Sequence, residues 1–265
     1  RPADPADRDA AVAYLSITLS HPAWLVSRWL DRHGFEAAEA WARFNNGPAP
    51  LTLRANTLRI TPHDLAARLA QDGIVCDPGR HAPDALIVRE GNPVTSPLHG
   101  DGLFVIQDEA SQLVGHYASA QPGERILDAC ASPGGKTLAM AAAARPGLIV
   151  ASDVRGRRID LLRATIERSG ATNVVVVQAD AAAPLPFAPA FDRVLLDAPC
   201  SGLGTVRRDP DIKWRRQPAD LAAMAAVQLT MLEHARAVLT PTGRLVYATC
   251  SSEPEENDDV VAAFC

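Results

Sequence analysis

No apolar run in this 265-residue chain approaches the roughly 20 residues that a membrane-spanning helix needs. The N-terminus is acidic and polar, without the basic start and apolar centre of a secretory signal. Cysteine is scarce, five in all, and no two form a Cys-x-x-Cys pair. An odd number without that spacing argues against a disulfide framework or a zinc ribbon, and predicts reduced thiols in a cytoplasmic protein with no metal. Lysine is rare, arginine is common, and the formal charge is −5. A non-specific nucleic-acid binder would carry the opposite sign, although a local basic groove remains compatible with this balance. Internal repeats and low-complexity stretches are absent too. So is the dinucleotide fingerprint G-x-G-x-x-G.

What is present is organised around residues 124–136, ERILDACASPGGK. Ile126 and Leu127 predict a buried strand that ends on Asp128. Pro133, Gly134 and Gly135 enforce a tight turn, and Thr137 opens a run of strong helix formers. Strand, glycine turn and helix is how open α/β sheets build a ligand site beyond their strand ends. GGKT resembles the end of a phosphate loop, but that loop needs a glycine five positions before Gly135, where Cys130 stands. Asp128 ahead of the turn repels phosphate. It suits a cationic ligand such as the amino and sulfonium groups of S-adenosyl-L-methionine.

Along the chain, residues 1–8 read as a disordered or truncated end. Residues 10–19 predict a short apolar helix. His21-Pro22 opens a second, with Trp24, Leu25, Trp29 and Leu30 as its apolar stripe, Gly34 as its breaker, and a further helix over 36–44. The run at 45–50 is a boundary. Short strands over 51–56, 74–76, 85–89 and 103–107, with a helix capped by Thr61-Pro62, predict a small α+β module. Its Arg54, Arg59, Arg68 and Arg89 are candidates for a nucleic-acid surface, ordinary solvated faces being the alternative. From residue 124 the rhythm is strand and helix in turn. Strands over 124–130, 148–153, 173–180, 191–197 and 243–249 alternate with helices near 135–144, 155–169 and 218–239. Pro241 and Gly243 are read as the stop of the last helix. This predicts a mostly parallel sheet covered on both faces. The expected organisation is therefore a helical segment over 1–49, a small RNA-binding-like α+β module over 50–108, and a catalytic domain over 109–265.

Asp128, Asp153, Asp180 and Asp197 close the first four strands, where they face the ligand crevice of this architecture. One such acid is usually a helix cap, but four in register are harder to dismiss. The second suits the ribose hydroxyls and the third an adenine amino group, so the pattern fits an adenosyl ligand without phosphates. Cys200 and Cys250 follow the fourth and fifth strands. A single cysteine is ordinarily a small buried hydrophobe, which is the reading for Cys76, Cys130 and Cys265. Two at strand ends fit nucleophilic catalysis better, with Lys136 and the arginines after Cys200 to favour a thiolate.

DACASPGGKT (128–137), DAPCSGLGT (197–205) and YATCS (247–251) resemble the RNA (cytosine-5)-methyltransferase family, the group that holds the bacterial ribosomal and the Nop2/NSUN enzymes. The resemblance covers about residues 20–265, and HPAW (21–24) with LRAN (53–56) favours the bacterial ribosomal branch. It implies a Rossmann-like fold, S-adenosyl-L-methionine as donor, and a cytosine in RNA as target. In that reading Cys130, Ala131, Ser132, Pro133, Gly134, Gly135 and Lys136 form the cofactor stretch, with Asp153, Arg158, Asp180 and Asp197 also in contact. Cys250 is the nucleophile, and Cys200 assists product release. Asp197 and Lys136 support the activated ring. The family has a further N-terminal helical domain and two more strands, so the chain reads as truncated at both ends. The rivals are a DNA-type enzyme using Cys200 as nucleophile, a transfer-RNA enzyme, and a silent RNA-binding assembly factor. The basic run over 201–216 contains Trp214, a candidate for stacking on a base.

Overall fold

A computed structural model describes every residue except Ala3 and Pro5, which fall within the N-terminal stretch expected to be irregular. In chain order, α1 (Arg8–Ala13) and α2 (Ala23–Asn45) precede β1 (Thr52–Ala55), α3 (Pro62–Gln71), β2 (Val75–Pro78), β3 (Ala85–Glu90), β4 (Phe104–Ile106) and α4 (Glu109–Tyr117). Strands and helices then alternate. They are β5 (Arg125–Asp128), α5 (Gly135–Ala144), β6 (Leu148–Asp153), α6 (Gly156–Ser169), β7 (Val174–Gln178), β8 (Phe191–Asp197), α7 (Pro218–Ala237) and β9 (Leu239–Ala248), with α8 (Asp258–Phe264) last. The chain divides into two compact units. One comprises Arg1–Ala49, Pro199–Leu229 and Thr249–Cys265, and the other Pro50–Ala198 with Thr230–Ala248.

The larger unit holds both sheets. The five-stranded sheet runs β7-β6-β5-β8-β9, and every pair in it is parallel. The order reverses between β5 and β8, which is where doubly wound sheets open a ligand crevice. Ile126 and Leu127 point to opposite faces, yet each is fully buried, so the sheet is covered on both sides. Ile126, Ile149, Leu195 and Val246 pack with Met140, Ala141 and Ala144 of α5, while Ala151 packs with Ile159, Leu162 and Ile166 of α6. This architecture is the α/β, Rossmann-like one that the sequence predicts.

The last strand differs from its expected form. It begins at Leu239, so Pro241 and Gly243 lie inside it rather than stopping the helix before it. β9 is one of the two edge strands of this sheet among the described residues, β7 being the other, and its register with β8 shifts between Phe191 and Arg193. A proline is tolerated there because an edge position leaves one side without a ladder bond to lose.

The small antiparallel sheet, β2-β3-β1-β4, buries Leu53, Ala55, Leu86 and Phe104 against Leu65 and Leu69 of α3. Arg54 alternates to the other face and is 1% exposed, so it forms no part of a nucleic-acid surface. Burial lowers its pKa to about 10. Arg59 donates to the carbonyls of Asp101 and Arg168, and Arg89 pairs with Asp77 at 2.6 Å, so both guanidinium groups have partners within the unit.

The smaller unit is assembled from three separated segments. Asp7 caps α1 by accepting from the Ala10 amide. The expected helix over 10–19 changes to a π-helical turn at Tyr14–Thr18. That turn buries Leu15 fully and brings the Tyr14 hydroxyl to Glu39 at 2.9 Å. Gly34, at φ 74° and ψ 175°, breaks α2 in the middle as its sequence predicts. Leu25 and Trp29 are buried, with Trp24 and Leu30 packed beside them, and Leu203, Val206 and Leu221 join the same core from the middle segment. The last segment is clamped by ions. The fully buried Glu253 carboxylate accepts from Arg28 Nε at 2.9 Å and Trp29 Nε1 at 3.3 Å, while Arg28 also grips Glu255 at 2.7 Å. Among the described residues, no helix is long and apolar enough to cross a membrane.

Candidate active site

In the larger unit the loop after β5 is tied to the end of β6. The Ala131 amide donates to the Ser152 carbonyl at 2.8 Å, and the Ser132 amide donates to Asp153 Oδ2 at 3.2 Å. Arg158 closes the ring, giving Nε to Asp153 at 3.0 Å and Nη2 to the Ser132 carbonyl at 2.7 Å. Ser132, from the cofactor stretch of the resemblance, thus comes together with Asp153 and Arg158, which the resemblance adds as further cofactor contacts. Gly134 caps α5 with a φ of 107°, and a Cβ there would sit 3.0 Å from Leu162 Cδ1. Both the conformation and the space require glycine. The first turn of α5 leaves its amide N–H groups without helical partners.

Lys136, on that first turn, donates to Asp197 Oδ2 at 2.6 Å and to Ser111 Oγ at 3.1 Å. The chain has only two lysines, Lys136 and Lys213. Ser111 was not anticipated, because nothing in the helix pattern of α4 marks one serine as a partner of a residue 25 positions later. Asp180 lies two residues beyond β7 and is exposed, its carboxylate accepting from the Ala182 amide at 2.9 Å.

Asp128 departs from its expected place facing the crevice. It is buried, and its Oδ2 accepts from the Thr137 hydroxyl at 2.7 Å while Oδ1 has no partner. Burial pushes its pKa up to about 7, with Asp197 and Asp153 adding to the shift. It anchors the start of α5 from beneath. Cys130 sits half-buried beside it, and burial pushes that thiol up to about 12, as befits a packing residue.

The thiol residues lie in the smaller unit. Cys200 follows the end of β8 by three positions and Cys250 follows the end of β9 by two. Their sulfurs are 3.1 Å apart with no disulfide, and the Cys250 amide donates to Cys200 Sγ at 3.3 Å. Cys250 is exposed and Cys200 is half-buried. The hydrogen bond with Cys250 and then burial raise the Cys200 pKa. Arg216 gives its donors to the carbonyls of Ser201, at 2.8 Å, and Cys200, at 3.5 Å. Gly204 donates to the Cys250 carbonyl at 2.9 Å, and a Cβ on it would come within 2.8 Å of that oxygen. Cys265 is exposed rather than buried, and Cys76 flanks the core of the small sheet.

Comparison with known proteins places these features in one group. The profile of the 16S rRNA methyltransferase RsmB/F family matches residues 117–265, and that of the RsmF/B-like ferredoxin-like domain matches residues 21–95. The probable ribosomal RNA small subunit methyltransferase B of Bacillus subtilis is 37% identical over 256 residues, covering 96% of this chain and 57% of that protein. The ribosomal RNA small subunit methyltransferase B of Vibrio cholerae is 40% identical over 250 residues, covering 92% of this chain and 56% of its own length. The chain therefore spans a little over half the length of these curated relatives. The crystal structure of a methyltransferase homologue from Pyrococcus horikoshii superposes with a TM-score of 0.82 at 32% identity, over 95% of this chain and 80% of that one.

Proposed function

This chain belongs to the 16S rRNA methyltransferase RsmB/F family, and on that premise we propose that it methylates carbon 5 of a cytosine in 16S ribosomal RNA, with S-adenosyl-L-methionine as donor. The observation that carries the reading is the thiol pair, an exposed Cys250 whose sulfur lies 3.1 Å from that of the half-buried Cys200.

The residues at the strand ends fit the cofactor. Asp153 is a buried acid at the end of β6, placed to accept from a diol. The first turn of α5 presents its amides, and Asp180 and Asp197 offer carboxylates to a cationic, phosphate-free ligand. Cys130 to Lys136, with Arg158, form the walls of this reading. When bound, S-adenosyl-L-methionine supplies the electrophilic methyl group that an activated carbon 5 takes.

Carbon 5 of cytosine is a poor nucleophile, and the chain's residues supply what it lacks. The Cys250 thiolate adds to carbon 6 and turns the ring into an enamine. Asp197 accepts from the amino group of the ring, and the Lys136 ammonium that holds it offsets the negative charge that develops on the ring. After methylation the carbon 5 proton leaves to a base, and the carbon 6–sulfur bond breaks to return the Cys250 thiolate. Cys200 keeps its proton and hydrogen-bonds the departing sulfur. Cys250 is exposed whereas Cys200 is half-buried, which disfavours the DNA-type alternative in which Cys200 attacks. Reaching carbon 6 requires an unpaired or flipped base. The basic run 201–216 of the smaller unit, with Trp214 55% exposed, is the surface we assign to RNA.

Transfer of tritiated methyl groups to ribosomal RNA tests the reading, with bisulfite sequencing to locate the product. Cys250→Ala is expected to abolish transfer while calorimetry still detects cofactor binding, and Cys200→Ala is expected to accumulate a covalent RNA adduct on denaturing gels. An adduct from Cys250→Ala instead would exchange the two roles.

A further inference from the structure

Glu256 lies six residues beyond Cys250 and is fully buried. Its carboxylate reaches back to the other thiol loop. Oε1 accepts from the Ser201 amide at 2.8 Å and from Gln228 Nε2 at 3.0 Å, and Oε2 accepts from the Ser201 hydroxyl. Ser201 Oγ in turn lies 3.0 Å from Ser251 Oγ, so one carboxylate links the residue after Cys200 to the residue after Cys250. Gln228 also donates to the Pro199 carbonyl at 3.0 Å, on the other side of Cys200. Asn257, next to Glu256, pins the Cys250 loop by donating to the carbonyls of Ser251 and Glu253, each at 3.0 Å, and it pairs with Thr249 Oγ1 at 2.6 Å.

We propose that Glu256 is a positioning residue for the thiol pair: it fastens the loops of Cys200 and Cys250 to each other and so sets the distance between their sulfurs. It acts through Ser201 and Ser251. The physical argument is one of alternatives. Each cysteine lies in an irregular loop, where no ladder of backbone bonds fixes its place, and attack geometry tolerates little error, about 1 Å of misplacement costing on the order of a hundredfold in rate. A buried carboxylate accepting from a backbone amide, a hydroxyl and an amide side chain at once supplies the stiffness that the loops lack. The shape of the group matters more than its charge. Glutamine keeps an accepting oxygen for the Ser201 amide, and its NH₂ group can donate to the Ser201 hydroxyl. Aspartate keeps the charge but is one methylene short of both. The consequence for catalysis rests on the RNA-methylation reading above, whereas the consequence for sulfur juxtaposition does not.

Two measurements on the full chain separate these. In the first, the diamide-driven formation of a Cys200–Cys250 disulfide is followed by mass spectrometry, which reads how often the sulfurs meet without any RNA. In the second, Glu256 variants are placed in the Cys200→Ala background and the rate of covalent RNA adduct formation is measured. Glu256→Asp and Ser201→Ala are expected to slow disulfide formation at least about tenfold and adduct formation up to about a hundredfold. Glu256→Gln should stay within a few-fold of the parent in both, and cofactor binding should not change. Parental rates of disulfide formation in folded Glu256→Asp and Ser201→Ala would overturn the proposal, as would equal losses in the Gln and Asp variants. If Cys200→Ala itself yields no adduct, the RNA reading fails, and disulfide formation alone decides the role of Glu256.

Discussion

The cofactor region of the larger unit and the thiol region of the smaller unit are built by different means. The cofactor region rests on strand ends and the turn after β5 in the larger unit, with contacts that span from five residues to the 61 between Lys136 and Asp197. Asp153 and Arg158 are five residues apart, and Ser132 is 21 residues before Asp153. The thiol region sits in the smaller unit, in loops that long-range polar contacts hold in place. Arg28 reaches Glu253 across 225 positions, and Glu256 reaches Ser201 across 55. A sheet supplies its own backbone bonds and so positions strand-end residues cheaply. Loops without a ladder need buried side chains to do the same, and each such contact is a point where one substitution can release the loop.

That contrast predicts where stability is most exposed. Glu253 is fully buried and Arg28 is its closest cation, at 2.9 Å. Arg28→Ala strands a buried carboxylate, leaving Arg32 at 3.6 Å as the nearest remaining guanidinium. Loss of one partner of such a pair costs about 3–5 kcal/mol. Denaturant unfolding should show that loss, and cofactor binding in the larger unit should survive conditions under which Cys250 alkylation by iodoacetamide has changed. Equal effects on both would mean that the regions are not independently built.

A second test lies in the larger unit. The Asp128 pKa is raised from 3.8 to about 7, chiefly by burial. A raised acid contributes its stability fully below its unfolded pKa and loses it as pH rises through the folded one, because the native state must then hold a buried charge. Between about pH 4 and pH 8 the wild type should therefore lose up to about 4 kcal/mol relative to Asp128→Asn, which keeps an acceptor for Thr137 but cannot ionise. Parallel stability curves for the two proteins would remove Asp128 as the source of the pH dependence.

Legibility in the sequence follows the same division. The strand ends, the glycine turn and the doubly wound sheet were readable because β5 to β8 follow the local rules of apolar runs, turn residues and helix formers. Ser132 and Arg158 are assigned to the cofactor by the family resemblance alone, and the pairing of β5 with β6 brings their loops together. Nothing in the run EPEEN, 253–257, marks which of its acids are buried, and the fold buries both Glu253 and Glu256. Arg54 misled in the same way: its position on β1 alternates away from Leu53 and Ala55, but the strand pattern does not reveal that its own face is covered as well. Pro241 read as a helix stop because proline in a strand is compatible only with an edge, and edge status is a property of the whole sheet.

The cofactor region offers a smaller and more local test. Asp153→Ala removes the acceptor of the Ser132 amide and of Arg158 at once. Leaving such buried donors unpaired costs about 1–3 kcal/mol, so cofactor affinity should fall between a few-fold and about a hundredfold. A cofactor analogue without ribose hydroxyls should bind wild type and variant alike. An unchanged dissociation constant for the natural cofactor would take Asp153 out of the site and leave it as loop scaffolding.

The smallest effect is expected at the rim of the thiol region. Trp214 lies on a short helical turn, Ile212–Arg215, and its neighbours are already occupied. Arg215 pairs with Asp209 at 2.7 Å, and the buried Lys213 reaches Asn46 at 3.4 Å. Two residues on, Arg216 grips the carbonyls of Ser201 and Cys200, so the turn is fastened to the loop that carries one of the two thiols. A large apolar ring is left facing solvent where the fold has no use for it, in a stretch whose balance of five cations against two acids favours a polyanion. Base stacking on an aromatic side chain is worth about 1–3 kcal/mol, and a ring covered on one side only should give the lower value. Trp214→Ala is therefore expected to weaken binding of a single-stranded RNA by about 1 kcal/mol and to raise KM more than it lowers kcat. Trp214→Phe should recover most of the loss, because stacking needs a π face and not an indole N–H. If Trp214→Ala instead lowers kcat with KM unchanged, the turn acts on the thiol loop through Arg216, and the RNA contact lies elsewhere on the basic run.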